Sequence, residues 1–235
     1  MGEVQIDGGA DLPQPTAFGR EMRKLFLFDD KYVNLNHGSF GAFPRSIRDL
    51  VQRYQAQTES RPDPFLRYDY PKLLDRSRES LSKFLHAPLD EVVLLSNATT
   101  GVNTVLRSLV FQPGDHILYF NTTYGACAKT VEYVCEYTPA KPIRLDLSLP
   151  IEDDAIVGMM REAIRAVKEE GGRVKVAILD TVVSMPGVKM PLESMVKVCK
   201  DEDVLSLVDG AHGIGHLELD LAKLDADFFI SNCHK

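Results

Sequence analysis

Five stretches of the sequence set polar or reactive side chains directly after apolar, strand-like runs. Glu91–Leu95 is followed by Ser96-Asn97-Ala98-Thr99-Thr100-Gly101, where a helical pattern opens. Small hydroxyl residues at a helix start make a seat for phosphate, because free N–H groups and the helix dipole point at the anion. The same residues also serve as an ordinary N-cap. His116–Phe120 leads into Asn121-Thr122-Thr123-Tyr124-Gly125, where Tyr124 either stacks on a flat ligand or simply packs. Val174–Leu179 leads into a polar run, Asp180 to Gly187, with no fixed chemistry of its own. Val204–Val208 ends on Asp209, an awkward place for a charge unless a cation meets it. Asp227–Ile230 is followed by Ser231-Asn232-Cys233-His234-Lys235. A lone lysine is normally solvated, but this one follows a buried-type strand and a run of small polar residues. One ligand reconciles these pieces. Its phosphate sits at Ala98 and Thr99, its ring lies on Tyr124, its protonated ring nitrogen meets Asp209, and its aldehyde forms an imine with Lys235. That ligand is pyridoxal 5'-phosphate.

These residues need a scaffold, and the hydrophobic rhythm supplies one. Apolar residues at three- and four-residue steps predict helices over 43–60 and 70–85, with Arg61-Pro62-Asp63-Pro64 as a break between them. Beyond residue 90 short apolar runs alternate with helical patterns. Strands are expected at 91–95, 116–120, 142–145, 174–179, 204–208 and 227–230. Helices are expected at 99–110, 124–137, 152–170 and 192–200. This alternation predicts an α/β fold, a mostly parallel sheet with helices on both faces. Ligands of such sheets bind at the carboxyl ends of the strands. The first residues are rich in Gly, Pro and Asp and read as an N-terminal arm.

Composition narrows the class. The 235 residues are 44% hydrophobic and 26% charged, which excludes disordered and fibrous chains. A net charge of −7 gives no basic footprint for nucleic acid or an anionic membrane. No apolar run reaches the length of a membrane span, and the N-terminus lacks a signal-peptide pattern. The glycines after Asp209 do not form a dinucleotide fingerprint. His212 and His216 lack an acidic third ligand in register, so no metal is expected. Cys127, Cys135, Cys199 and Cys233 form no CxxC pair and read as reduced thiols of a cytoplasmic protein.

The segments LNHGSFGAFP (35–44), RPDPFLR (61–67), SNATTGVNTVLR (96–107), YGACAKT (124–130), VDGAHGIG (208–215) and SNCHK (231–235) carry a family resemblance. In that order they resemble the class V pyridoxal-phosphate-dependent aminotransferase family of fold-type I. The branch is isopenicillin N epimerase-like, with ergothioneine sulfoxide lyases and loline-pathway-like proteins of fungi. The resemblance implies an arm at 1–35 and a cofactor-binding large domain at 36–235. Because relatives continue past the lysine, it also implies that a C-terminal small domain is missing. It implies catalytic roles for Lys235, Asp209 and His212. Ala98, Thr99, Ser231 and His234 would hold the phosphate, with Tyr124 on the ring. His212 and Ser184 would lie near the phenolic oxygen, and Asn36 and His37 would face an amino-acid or amine substrate. The implied protein is a homodimeric, aminotransferase-like enzyme of secondary metabolism. A C–S lyase of the cysteine desulfhydrase or sulfoxide lyase type is the alternative reaction. A truncated, inactive fragment that keeps the fold is the alternative of another class. The stretch 137–145 carries no cysteine, where the sulfoxide lyases are longer and have one, which favours the aminotransferase-like expectation.

Overall fold

A computed structural model describes residues 16–235, and the chain divides into two units, residues 16–79 with His234 and Lys235, and Ser80–Cys233. In the first unit the helices are α1 (Arg20–Arg23), α2 (His37–Phe40), α3 (Arg45–Ser60), α4 (Pro62–Pro64) and the start of α5 (Tyr70–Leu85). The predicted break over 61–64 narrows to Arg61, whose φ is −149°. Pro62 instead opens the next helical turn, where its missing N–H would have had no partner in any case. A π-helical turn, Phe65–Asp69, ends just short of Pro71. A proline ring clashes with the carbonyl four residues back, and a widened turn accommodates it. Phe26 stacks on Phe28 at 5.2 Å and meets His37 edge-on at 5.8 Å. Among the described residues of this unit only Phe65 is buried. Of the expected arm, residues 1–15 lie outside the described residues, and α1 lies within the remainder.

The second unit is built on the sheet. It contains α6 (Ala98–Ser108), β1 (Asp115–Phe120), α7 (Gly125–Tyr137), β2 (Lys141–Leu145), α8 (Asp153–Glu169), β3 (Arg173–Asp180), α9 (Leu192–Asp201), β4 (Leu205–Gly210), α10 (Leu221–Leu224) and β5 (Phe228–Ser231). The strands lie in the order β2-β1-β3-β4-β5, and every pair is parallel. Parallel neighbours need crossovers, and the intervening helices provide them. Alternation along each strand assigns the faces. Leu118, Phe120, Leu179 and Val208 pack with Ile156, Met160 and Ile164 of α8 and Met195 and Cys199 of α9. Ile117, Tyr119, Ile178 and Leu207 pack with Val102 and Leu106 of α6 and Cys127, Val131 and Val134 of α7. Each of the large aliphatic side chains buried here stabilises the fold by about 1.5–3 kcal/mol. The expected α/β architecture with helices on both faces is the one observed.

Two boundaries differ in ways that matter for chemistry. The predicted strands 174–179 and 204–208 extend at their carboxyl ends, so Asp180 and Asp209 lie inside β3 and β4 and are partners in register. The predicted strand at 91–95 does not form. Leu89–Glu91 is a 3-10 turn, and Val93 and Leu95 beyond it are 69% and 49% exposed. A β-branched run favours extended backbone, but a strand also needs a hydrogen-bonded neighbour, and among the described residues none pairs with this segment.

Gly101 seats α6 on the last strand. A Cβ there would lie 2.7 Å from Cγ2 of Ile230 and 3.2 Å from Cδ1 of Leu95. Gly101→Ala is therefore expected to destabilise the protein by about 1–3 kcal/mol despite alanine's better helix propensity. Denaturant unfolding of the two forms checks this, and an unchanged or raised midpoint would contradict it.

Candidate functional site

Polar side chains gather at the carboxyl ends of β1, β3, β4 and β5. The start of α6 is capped by Asn97, whose side-chain oxygen accepts hydrogen bonds from the Thr100 amide at 2.8 Å and the Thr100 hydroxyl at 3.1 Å. The Ala98 N–H donates to Oδ1 of Asn232 at 3.2 Å. Ala98 and Thr99 are thus the first residues of a helix that opens at the rim, as expected. Asn232, itself buried, is a member of this corner that the sequence reading passed over. Its signal was present as a small polar side chain in the run after the last strand. Ser231 closes β5, and its hydroxyl donates to the Gly210 carbonyl of the neighbouring strand.

Thr123 and Tyr124 follow β1. The Thr123 hydroxyl accepts from the Phe120 amide at 3.2 Å and donates to the Asp180 carboxyl. Tyr124 caps α7 with its ring half exposed at the rim. His212 sits half-buried in the turn after β4, and Ser184 is exposed in the turn after β3.

Asp209 is 4% exposed. Its Oδ1 accepts from the Ala211 amide at 3.1 Å, and its Oδ2 accepts from the Cys127 thiol of α7 at 3.4 Å. Beside it in register stands Asp180, equally buried, with an Oδ2 that has no hydrogen-bond partner in the protein. Burial pushes the Asp180 carboxyl well above the usual carboxylate range, and the neighbouring Asp209 charge pushes it further. The Thr123 hydrogen bond opposes both. The amino end of the sheet shows what a structural carboxylate looks like here. Asp115 is as buried, and Arg173 Nε donates to it at 2.6 Å. The bonds drawn above for Asp180 and Asp209 come from an amide, a thiol and a hydroxyl, none of them a cation.

Asn36, His37, His234 and Lys235 belong to the first unit. Asn36 precedes α2, and its N–H donates to Asn34 Oδ1 at 3.1 Å. Gly41 ends α2 at φ 72°, and a Cβ on it would fall 1.4 Å from the His234 carbonyl oxygen and 3.3 Å from the Lys235 nitrogen. The glycine of the HGSFG turn therefore lies directly against the main chain that carries the lysine.

The rim residues fit pyridoxal phosphate on two observations. The paired buried carboxyls, one with an orphaned oxygen, call for a positive or proton-donating group. At the start of α6 the Ala98 and Thr100 amides are held by Asn232 and Asn97, which leaves the Thr99 amide and hydroxyl to meet an anion at the positive end of the helix. Among the described residues, no group of three or more His, Cys, Asp or Glu is placed to share a metal ion.

An open parallel sheet with its polar groups collected at the strands' carboxyl ends defines a ligand-binding α/β domain. The chain belongs to the aminotransferase class-V family, whose pattern matches residues 45–235. It is 38% identical over 218 residues to the L-cysteine desulfhydrase-like protein lolT1 of Epichloe uncinata, covering 93% of this chain and 48% of that protein. It is 29% identical to the hercynylcysteine sulfoxide lyase of Schizosaccharomyces pombe, covering 95% of this chain and 56% of that one. Among solved structures, the fold superposes with a TM-score of 0.81 at 20% identity on C-DES with glycine covalently linked to its PLP cofactor, over 90% of this chain and 55% of that one. The chain spans about half the length of the curated relatives it matches.

Proposed function

We propose that this chain binds pyridoxal 5'-phosphate at the carboxyl rim of its sheet and acts on an amino-acid substrate. The observation that carries the reading is Asp209, a carboxyl buried at a strand end whose amide and thiol partners carry no positive charge. A protonated pyridine nitrogen is the counter-ion such a group needs. The bound cofactor supplies an aldehyde for covalent attachment and an electron sink for bonds at the substrate's α-carbon.

The chain's own residues do the rest. Asp209 keeps the ring nitrogen protonated. The Thr99 amide and hydroxyl, with His234, would hold the phosphate at the corner where the Ala98 amide and the Ser231 hydroxyl, bonded to Asn232 and the Gly210 carbonyl, fix the backbone. Tyr124 covers one ring face, while His212 and Ser184 bind the phenolic oxygen. The Lys235 amine would hold the cofactor covalently and would be the base placed to move protons at the substrate's α-carbon. Asn36 and His37 face the substrate. Residues 36–235 act as the cofactor domain behind an arm at 1–35, in a cytoplasmic homodimer of secondary metabolism.

The relatives named as a desulfhydrase-like protein and a sulfoxide lyase favour cleavage of a carbon–sulfur bond over the aminotransferase-like reaction. Sulfide with pyruvate from cysteine would identify elimination. A 2-oxo acid that keeps its sulfur would identify transamination.

The binding reading is tested by incubating the protein with pyridoxal phosphate, reducing with borohydride and mapping the adduct by mass spectrometry. The adduct is expected on Lys235. No adduct, or one on another lysine, would overturn the assignment.

A further inference from the structure

The pair formed by Asp180 and Asp209 goes further than a single counter-ion. The two residues are register partners on adjacent parallel strands. Both side chains project to the α6/α7 side of the sheet, since Ile178 and Leu207, two residues earlier on each strand, pack there. Both are nine-tenths or more buried. Among the groups on this face are the Thr123 hydroxyl after β1, the Cys127 thiol of α7 and Tyr119 of β1, with the His212 imidazole in the turn just after Asp209. Two full negative charges side by side in so dry a place repel strongly. Asp209 has hydrogen-bond donors on both oxygens, whereas Asp180 Oδ2 has none. The donors therefore favour leaving the charge on Asp209 and the proton on Asp180.

We propose that Asp180 stands in the folded protein as a neutral carboxylic acid that keeps the pair's single negative charge on Asp209, and so acts as a positioning residue for the cationic ring nitrogen. This rests on the cofactor reading above for its ligand, but not for the state of Asp180 itself. An ionised Asp180 would split the attraction for the ring nitrogen between two oxygens sets on different strands. A neutral one presents a single anion in a fixed place and offers its own O–H as a hydrogen-bond donor.

The sign of the pH effect follows from the raised carboxyl. Asp180 keeps its proton in the fold and loses it in the unfolded chain once the pH passes the ordinary carboxyl value. Above that value the native state binds more protons than the unfolded one, so stability falls as pH rises toward the folded value. Asp180→Asn removes this loss. The difference in melting temperature between Asp180→Asn and wild type, measured without cofactor, is expected to grow by at least about 3 °C between roughly pH 5 and pH 8. A difference that stays constant means that Asp180 is ionised in the fold, and the proposal fails.

The second arm measures pyridoxal phosphate affinity by titration. Asp180→Ala is expected to weaken binding about fivefold or more, and Asp180→Asn to restore it to within about twofold, because the amide keeps a neutral donor in place. Equal weakening by both variants, or by neither, overturns the positioning role. If wild type itself does not bind the cofactor, the binding reading falls, and the melting arm still decides the protonation of Asp180.

Discussion

Asp209→Asn is expected to lower pyridoxal phosphate affinity and turnover by about a hundredfold and to move the melting temperature by only a few degrees, because the main work of this group is outside the fold. The argument rests on what asparagine keeps. It matches the volume, fills the same place in β4 and still accepts from the Ala211 amide that bonds Asp209 at 3.1 Å. It loses the charge. Removing one member of a buried, paired charge typically costs about 3–5 kcal/mol, of which about 2.7 kcal/mol already gives the hundredfold. Titration of cofactor absorbance and a thermal melt of the same samples read the two quantities separately. Affinity within about twofold of wild type would remove Asp209 from the site.

Gly41→Ala acts on the lysine from the other side of the chain. At φ 72° an L-residue is strained by about 1–2 kcal/mol. The added methyl also meets the His234 carbonyl oxygen at 1.4 Å, and no side-chain rotation relieves a collision with backbone. The main chain of His234 and Lys235 must move. Misplacing a reacting group by an ångström costs as much as about a hundredfold in rate, so the fraction of Lys235 trapped by cofactor and borohydride should fall at least tenfold. Mass spectrometry of the reduced digest measures that fraction. A trapped fraction equal to wild type would show that the turn at Gly41 does not hold the lysine.

Much of this molecule is legible in its residue pattern. The alternation of short apolar runs with helical spacing yields five of the six expected strands and the helices on both faces of the sheet. The exception is instructive. Glu91 to Leu95 has the β-branched residues of a strand, but strand formation is a property of two segments, and a single segment's composition does not reveal whether the second is there. Asn232 and Asp180 were missed for a different reason. Asn232 earns its place through a contact with Ala98 that no local spacing encodes. Asp180 stands at the head of a polar run with no fixed chemistry of its own, although continuing the alternation Val176, Ile178, Asp180 places it on the same face as Asp209. The expected break at residues 61–64 misread proline, which ends a helix from within but begins one readily.

The bond between the Ala98 amide and Asn232 joins residues 134 apart in the chain. All five strands of the sheet lie between the two residues, so the corner closes only when the last strand has docked. Contacts of such long range are costly to form early, because the entropy of closing the intervening loop precedes any reward. The seat at the start of α6 is thus complete only in the fully paired sheet. A ligand that needs this seat finds no purchase on a partly folded chain. Its contribution is to the equilibrium, raising the stability of the complete structure by mass action on the native state.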